Sequence, residues 1–266
     1  MTRRVVGRFL SFIGLAALWA WPFWLLTSVL PDSVDIVAIL AGAWGPTVAA
    51  VVLTWRASGR DGVRALLSKY LAWRTGLLPA VGVVVSVLAT TVAAVWVTSL
   101  GGVPPGLPGQ SPPLLFLPVV ILVNVFLGGP LAEEAGWRGF AHPLLRERVG
   151  PGVAGIIVGL GWGLWHAPLF FLPGQGFVVG GTDPLAFIAL TISWSVLFGV
   201  VTERADWSLL PAVFGHATVN TALGTYGFLA AFYRPAVVVG FAVVAAGVLV
   251  VHLASTRLSD STTPAA

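Results

Sequence analysis

Residues 76–98 read GLLPAVGVVVSVLATTVAAVWVT, a continuous apolar stretch without a charged side chain. About 20 such residues in an α-helix cross the roughly 30 Å hydrocarbon core of a bilayer. Outward from this stretch, the chain contains seven further apolar runs, and no period-two alternation of the kind that marks a membrane β-barrel. The sequence therefore predicts an all-α, polytopic membrane bundle of about eight transmembrane helices, at about residues 9–30, 36–55, 76–98, 114–141, 152–172, 184–202, 208–232 and 235–254.

Composition supports a membrane protein. The 266 residues are 57% hydrophobic and 9% charged, with a mean hydropathy of +0.94, whereas about 25% of the residues of soluble domains are charged. The absence of cysteine excludes disulfides and thiolate zinc sites. A sequence pI near 10.3 could indicate nucleic-acid binding, but the basic residues lie beside the membrane spans, where they set orientation and meet anionic lipid. We therefore predict a lipid bilayer as partner and no nucleic acid.

The basic residues are distributed asymmetrically. Thirteen of the 14 Lys and Arg lie in segments on the same side as the N-terminus, and only Arg234 lies on the other side. The positive-inside rule then predicts that both termini are cytoplasmic. No internal repeat or linker divides the chain, so residues 1–266 are predicted to form a single transmembrane domain. The Arg-rich composition favours a bacterial cell membrane. Residues 56–74 fit either an amphipathic surface helix or a plain basic loop.

Ionisable residues inside apolar runs are the informative ones, because a charge at mid-bilayer costs at least about 2.5 to 3.5 kcal/mol on insertion scales. Three clusters contain such residues or polar companions to them: Glu133, Glu134 and Arg138; His166; and His216 with Asn220. Residues four apart share one face of a helix. The first cluster can thus turn one carboxylate to the interior while Arg138 holds the other, which suits a catalytic base with a supporting partner.

The spacing of these residues resembles a known family. Glu133-Glu134-xxx-Arg138 is similar to the EExxxR motif of the CAAX prenyl protease 2 (Rce1-like) and CPBP (Abi) intramembrane glutamic endopeptidases, and Trp162-xxx-His166 resembles their FxxxH motif. The departure is tryptophan where the family usually has phenylalanine. It preserves an aromatic wall and bears on substrate shape more than on chemistry.

A third motif completes the resemblance, since His216-xxx-Asn220 is similar to the family's HxxxN. The three motifs occur in the family's order and on the predicted fourth, fifth and seventh helices. The resemblance implies an eight-helix fold and peptide-bond hydrolysis near the cytoplasmic face of the membrane. The expected substrate is a peptide or membrane-protein segment, and for a bacterial protein one other than a prenylated CAAX sequence.

The resemblance also implies roles for individual residues. Glu133 and His166 would hold and activate a water, while His216 and Asn220 would form the oxyanion hole. An imidazole and a carboxamide four residues apart can both donate hydrogen bonds to one point, as an oxyanion requires. With no cysteine and no serine in a recognisable elbow, water is the only plausible nucleophile. The supporting residues are Glu134, Arg138 and Trp162.

Other interpretations stay open from the sequence. Two histidines and a glutamate could bind zinc with a water in the fourth position, although Asn220 is a poor zinc ligand and a good oxyanion donor, which favours a mechanism without metal or other cofactor. The same polar residues could serve a proton-coupled transporter, or a non-catalytic immunity or scaffold protein. Taken alone, each cluster also fits a structural role in the bundle. The sequence leaves the oligomeric state undetermined.

Sharing one water requires a specific geometry. Helical structure must continue through Glu133 and Glu134 to about Ala141, where Pro143 would end it. The six polar residues should then face one water-accessible cavity that opens to the cytoplasmic side. In contrast, His142 and His252 are expected outside the site, near cytoplasmic helix ends where snorkelling or water contact would accommodate them.

Overall fold

A computed structural model describes residues 3–103, 111–172, 183–227 and 234–262. Within these ranges the regular structure is entirely helical. The α-helices in chain order are α1 (Arg3–Leu26), α2 (Asp32–Ala43), α3 (Gly45–Ser68), α4 (Trp73–Leu100), α5 (Leu117–Leu127), α6 (Pro130–Gly136), α7 (His142–Arg146), α8 (Pro151–Trp165), α9 (Pro184–Arg204), α10 (Leu210–Val219) and α11 (Arg234–Thr262). Two π-helical segments, Trp137–Ala141 and Asn220–Thr225, follow α6 and α10, and short 3₁₀ turns cover Lys69–Leu71, Leu114–Phe116 and Ala167–Phe170.

Several of these helices are long and apolar enough to cross a membrane. Five described segments qualify by length and composition, namely Arg3–Leu26, Val34–Leu71, Trp73–Leu100, Pro184–Arg204 and Arg234–Arg257. A sixth span results if Leu114–Leu127 and Pro130–Arg146, which are bent by 55°, count as one. The predicted all-α, multi-pass membrane bundle is confirmed. The number of eight crossings and the orientation remain predictions, because α8 is shorter and residues 228–232 lie outside the described ranges.

Close packing of α8 on α9 depends on small residues. A Cβ atom added at Gly155 or Gly159 of α8 would lie 2.7 or 2.5 Å from the Cα atom of Val196 or Ile192 on α9. Glycines four residues apart form one face on which two helix backbones approach, as is common in membrane bundles. This contact fixes the depth and rotation of the following turn of α8, which contains Trp162.

The break between α5 and α6 sets the position of the paired glutamates. Gly129 has φ +96°, a conformation open to glycine and strained for other residues, and Pro130 begins the next helix. Helical structure then continues through Glu133 and Glu134, as predicted. The expected end at Pro143 is wrong, because this proline lies in the first turn of α7 and helical structure runs on to Arg146.

His166 also lies elsewhere than predicted along its helix. The sequence indicated a span over 152–172 with His166 inside it, whereas α8 ends at Trp165 and His166 is its C-terminal cap. The 3₁₀ turn Ala167–Phe170, with Pro168 near its start, follows directly. Since proline cannot donate the next backbone hydrogen bond, the chain turns here. The segment at 56–74 is helical for most of its length, with a break at Gly59.

The antiparallel helices give the bundle two ends. At the end where α1 begins, which we call the basic pole, Arg146 on α7 pairs with Glu203 near the end of α9 at 2.9 Å. Lys69 at the end of α3 donates to the carbonyl of Gly139 at 2.9 Å. The helix ends that contain these basic residues therefore meet at this pole.

The other end, the distal pole, contains the end of α1. Trp21 donates its indole N–H to the carbonyl of Trp165 at 3.0 Å. The hydroxyl of Tyr226, which follows the second π-helical segment, donates to the carbonyl of Pro113 at 3.3 Å. The ends of α1, α8 and α10 and the start of α5 thus lie together, opposite the basic pole.

Candidate active site

A cavity of about 340 Å³ contains most of the predicted site. Its lining includes Glu133, His166, His216 and Asn220 from three separate segments of the chain. The predicted convergence of these four residues is therefore observed, although their catalytic roles stay a prediction. The expectation that all six polar residues face the cavity is wrong for Glu134 and Arg138, which are fully buried and lie outside its lining.

Glu133 is held from one side by two tryptophans. Its Oε2 accepts hydrogen bonds from Nε1 of Trp162 at 2.8 Å and Nε1 of Trp137 at 3.2 Å. Its Oε1 lies against Gly129, where an added Cβ atom would come within 2.6 Å of it. Both donors bind one oxygen, so the other oxygen is left next to the cavity, which Gly129 also lines.

Glu134 forms the second, structural half of the carboxylate pair. Arg138 Nη1 donates to both of its oxygens at 3.0 Å, and His216 Nδ1 lies 2.9 Å from Oε1. The guanidinium also lies 4.6 Å from the ring of Trp162 and 5.3 Å from that of Phe198. A buried charge is tolerated when it is paired and hydrogen-bonded. Arg138 therefore holds Glu134, as predicted, and Glu134 orients His216.

His166 is oriented by its backbone and by aromatic rings. Its Nδ1 lies 2.9 Å from the carbonyl of Trp162, so this nitrogen donates and Nε2 is the unprotonated nitrogen of the neutral ring. Its ring stacks on Trp24 with centroids 5.9 Å apart and meets the edges of Trp165 at 4.7 Å and Phe187 at 5.2 Å. Nε2 can thus accept a hydrogen bond from a water in the cavity.

Asn220 links the second π-helical segment to the break before α6. Its Nδ2 donates to the carbonyl of Gly128 at 2.8 Å, which leaves the second N–H of the same amide for another acceptor. Nearby, Asn124 donates to Thr221 at 3.0 Å and also lines the cavity. Asn124 is therefore a packing residue at the wall of the site.

Three contributors were missed by the sequence analysis. Trp137 lies four residues after Glu133, a spacing that could have indicated its contact with the carboxylate. Trp24 lies on α1, far from the motifs in sequence, and no local pattern connects it with His166. Gly129 was not identified as a site residue, because its contact with Glu133 depends on the tertiary bend.

His142 and His252 were expected to be accessible to water, and this prediction is wrong. His142 is 0% exposed and His252 is 4% exposed. His142 packs against Gly199, where an added Cβ atom would come within 2.2 Å of its ring, and His252 Nε2 lies 3.7 Å from Glu203. Both remain outside the cavity lining. The physical reason for the error is that the basic pole is packed by α9 and α11, so these helix ends are covered.

The arrangement of possible ligands bears on whether the site could bind a metal ion. Among the described residues, no group of three or more His, Asp or Glu side chains is arranged to hold a metal ion. His216 and His166 each engage Nδ1 within the protein, and Asn220 is bound to a carbonyl. Metal independence itself stays a prediction.

Comparison with known proteins agrees with the motifs. Residues 115–222 match the family model described as type II CAAX prenyl endopeptidase Rce1-like. The match covers less than half of the chain, and we call residues 115–222 the Rce1-like region. It extends from the 3₁₀ turn before α5 into the second π-helical segment and includes every predicted site residue, so the resemblance found in the sequence is confirmed.

A curated relative is similar to this chain over a shorter range. A protein named CAAX prenyl protease 2 from Methanococcus maripaludis is 42% identical over 57 residues. The alignment covers 21% of this chain and 20% of the relative, so the chain matches about one fifth of the relative's length.

Proposed function

We propose that this chain is an intramembrane endopeptidase that hydrolyses a peptide bond with a water activated by Glu133 and His166. The observation that carries the proposal is the convergence of Glu133, His166, His216 and Asn220 on one cavity within an Rce1-like region. The hydrolase class suggested by the relative's name is extended to this chain on that basis. The protein is multi-pass, and we place it in a bacterial cell membrane.

The first step concerns the water. Glu133 Oε1 is the carboxylate oxygen beside the cavity, and His166 Nε2 is a hydrogen-bond acceptor in the neutral ring. A water bound between the two would direct an oxygen lone pair at the substrate carbonyl. The water oxygen attacks the carbonyl carbon, and its proton passes to Glu133, which acts as general base.

The second step concerns the charge that develops on the carbonyl oxygen. Glu134 accepts from His216 Nδ1 and so orients the ring. In its imidazolium form His216 also donates at Nε2. The second amide N–H of Asn220 is a further donor. Donors of this kind contribute on the order of 3 to 4 kcal/mol each to the transition state.

The tetrahedral intermediate then collapses. The bond from carbon to nitrogen breaks, and Glu133 returns the proton to the leaving amine as general acid. The second proton of the water stays on the new acid, so the products are a carboxylic acid and an amine, and no electron donor or acceptor is consumed. We propose that this cycle requires no metal or cofactor, because each group that it needs is supplied by the chain.

The cavity also constrains the substrate. Apart from the polar residues already described, its walls are mostly apolar or aromatic, and they include Ile39, Leu40, Phe187 and Trp194. Ile36 and Leu127 also line it and are more than 45% exposed, at 47% and 59%. Apolar pockets of this size bind apolar side chains with a few polar anchors. The substrate is therefore a peptide or membrane-protein segment with apolar residues beside the cleaved bond.

A cleavage assay tests the proposal. Purified protein in lipid nanodiscs is incubated with a library of apolar peptides, and products are identified by mass spectrometry. Incubation in water labelled with oxygen-18 should place one labelled oxygen in the new carboxyl group. The proposal fails if no bond is cut by the wild type, or if a Glu133→Gln preparation gives the same products at the same rate.

A further inference from the structure

The cavity has a buried floor and an exposed rim. Glu133, His166 and His216 are at most 7% exposed and form the floor. The rim contains exposed residues from the start of α2, the end of α5 and the end of the second π-helical segment: Ile36, Leu127, Gly224 and Thr225. Access to the site from water or lipid therefore passes this rim.

The rim lies towards the distal pole. Along α10 and the π-helical segment, Thr225 is 15 residues beyond Leu210, which is roughly 22 Å from the basic pole at about 1.5 Å per residue. Trp24, which stacks on His166, is near the end of α1, whereas Arg3 begins that helix. Helix α9 runs in the direction opposite to α1 and places the cavity at the same end. Phe187, near the start of α9, contacts His166, whereas Arg204 ends α9 at the basic pole.

Positive charge is concentrated at the opposite end. The basic residues outside the distal pole are Arg3, Arg4, Arg8, Arg56, Arg60, Arg64, Lys69, Arg74, Arg138, Arg146, Arg148, Arg204 and Arg257. Without the buried Arg138, twelve remain. At the distal pole Arg234 is paired with Asp183 at 3.0 Å. Juxtamembrane Lys and Arg are retained in the cytoplasm, so this asymmetry places the basic pole inside the cell.

We propose that the cavity opens to the non-cytoplasmic side of the membrane and takes peptide segments that are presented from that side. Two sequence-based predictions, cytoplasmic termini and cytoplasmic access, are incompatible in this structure, because the rim and the basic residues lie at opposite poles. The charge distribution supports the first of them. The substrate class rests on the proposed peptidase function, whereas the orientation does not.

The chain lacks cysteine, so single thiols can be introduced without removing others. Ser28 follows α1 at the distal pole and Ser58 lies on α3 towards the basic pole, and both are exposed. Ser28→Cys and Ser58→Cys form a matched pair, and Thr225→Cys reports on the rim. Each variant is treated with a membrane-impermeant maleimide in intact spheroplasts and in inside-out vesicles, and labelling is measured by gel shift.

We expect Ser28→Cys and Thr225→Cys to be labelled in spheroplasts, and Ser58→Cys to be labelled only in inside-out vesicles. The reverse pattern overturns the proposal. Labelling of Ser28→Cys but not Thr225→Cys from outside also overturns it, because the rim would then lack water access from that side. These results do not require catalysis, so they are independent of a failure of the peptidase assay. With an active preparation, maleimide added outside should also block cleavage by Thr225→Cys and leave the wild type unaffected.

Discussion

The indole nitrogen of Trp162 donates a hydrogen bond to Glu133 Oε2 at 2.8 Å, while the same ring lies 4.6 Å from the Arg138 guanidinium. One side chain thus contacts the cavity carboxylate and the buried ion pair below it. From the sequence, Trp162 was expected to provide an aromatic wall in place of phenylalanine. The indole N–H gives it an additional function that phenylalanine lacks, which is to orient the carboxylate.

Replacing Trp162 by phenylalanine should separate these two functions. Trp162→Phe keeps an aromatic ring beside Arg138 but removes the donor to Glu133, and a hydrogen bond to a charged group contributes about 1.5 to 3 kcal/mol. We expect kcat to fall about tenfold to a hundredfold with little change in KM. The control is Trp165→Phe, which keeps an aromatic ring against His166, since Trp165 is also buried and its indole nitrogen has no hydrogen-bond partner among the described atoms. Equal losses in both variants would contradict the positioning role.

Glu133 should be essential for hydrolysis and dispensable for folding. Glu133→Gln retains an oxygen that accepts from the two indoles but removes the basicity, and loss of a general base costs about 10² to 10⁴ in rate. We expect this loss in kcat with an unchanged melting temperature. Glu147→Gln, at an exposed site near the basic pole, should remain fully active. Wild-type cleavage by Glu133→Gln would falsify the assigned mechanism.

The two ion pairs should differ in their contributions to stability. Arg138→Leu leaves Glu134 buried without its partner, which costs about 3 to 5 kcal/mol. Arg146→Leu breaks a pair with Glu203 whose side chains are 32% and 18% exposed, and exposed pairs contribute about 0 to 1 kcal/mol. Thermal unfolding in one detergent should show a much larger decrease for Arg138→Leu. Equal decreases would indicate that the pair with Glu134 is not desolvated.

Metal removal should leave cleavage unchanged. Zinc sites with an open water position use three protein ligands, and among the described residues no three His, Asp or Glu side chains are arranged to hold a metal ion. Activity is measured after dialysis against a chelator, and metal content is measured by mass spectrometry on the same sample. Stoichiometric zinc, with activity lost to chelator and restored by zinc, would overturn the metal-free mechanism.

The sequence predicted the class of fold and the members of the cavity better than it predicted their local geometry. Long apolar runs and helical spacing are local properties, so the bundle and the Glu134–Arg138 pair could be inferred from them. The positions of His166 at a helix end and of His142 in a covered pole depend on tertiary packing. Because His142 and His252 are buried, alanine at either site is expected to destabilise the protein, and neither is a neutral control for His166 or His216.

Gly129 combines a backbone constraint with a contact to the site, and a second glycine separates the two effects. Both Gly129, at φ +96°, and Gly102, at φ +86°, adopt conformations that strain other residues. An added Cβ atom comes within 2.6 Å of Glu133 Oε1 at Gly129, whereas none of the atoms that the structure describes lies within 4 Å of it at Gly102. Each alanine substitution should lower stability by about 1 kcal/mol or somewhat more from strain alone.

Only Gly129→Ala should also displace the carboxylate oxygen beside the cavity, so we expect its kcat to fall at least about tenfold, given the sensitivity of catalysis to small misplacements. Gly102→Ala should show a lower melting temperature with nearly unchanged kcat. Wild-type kcat for Gly129→Ala would mean that this oxygen does not hold the water.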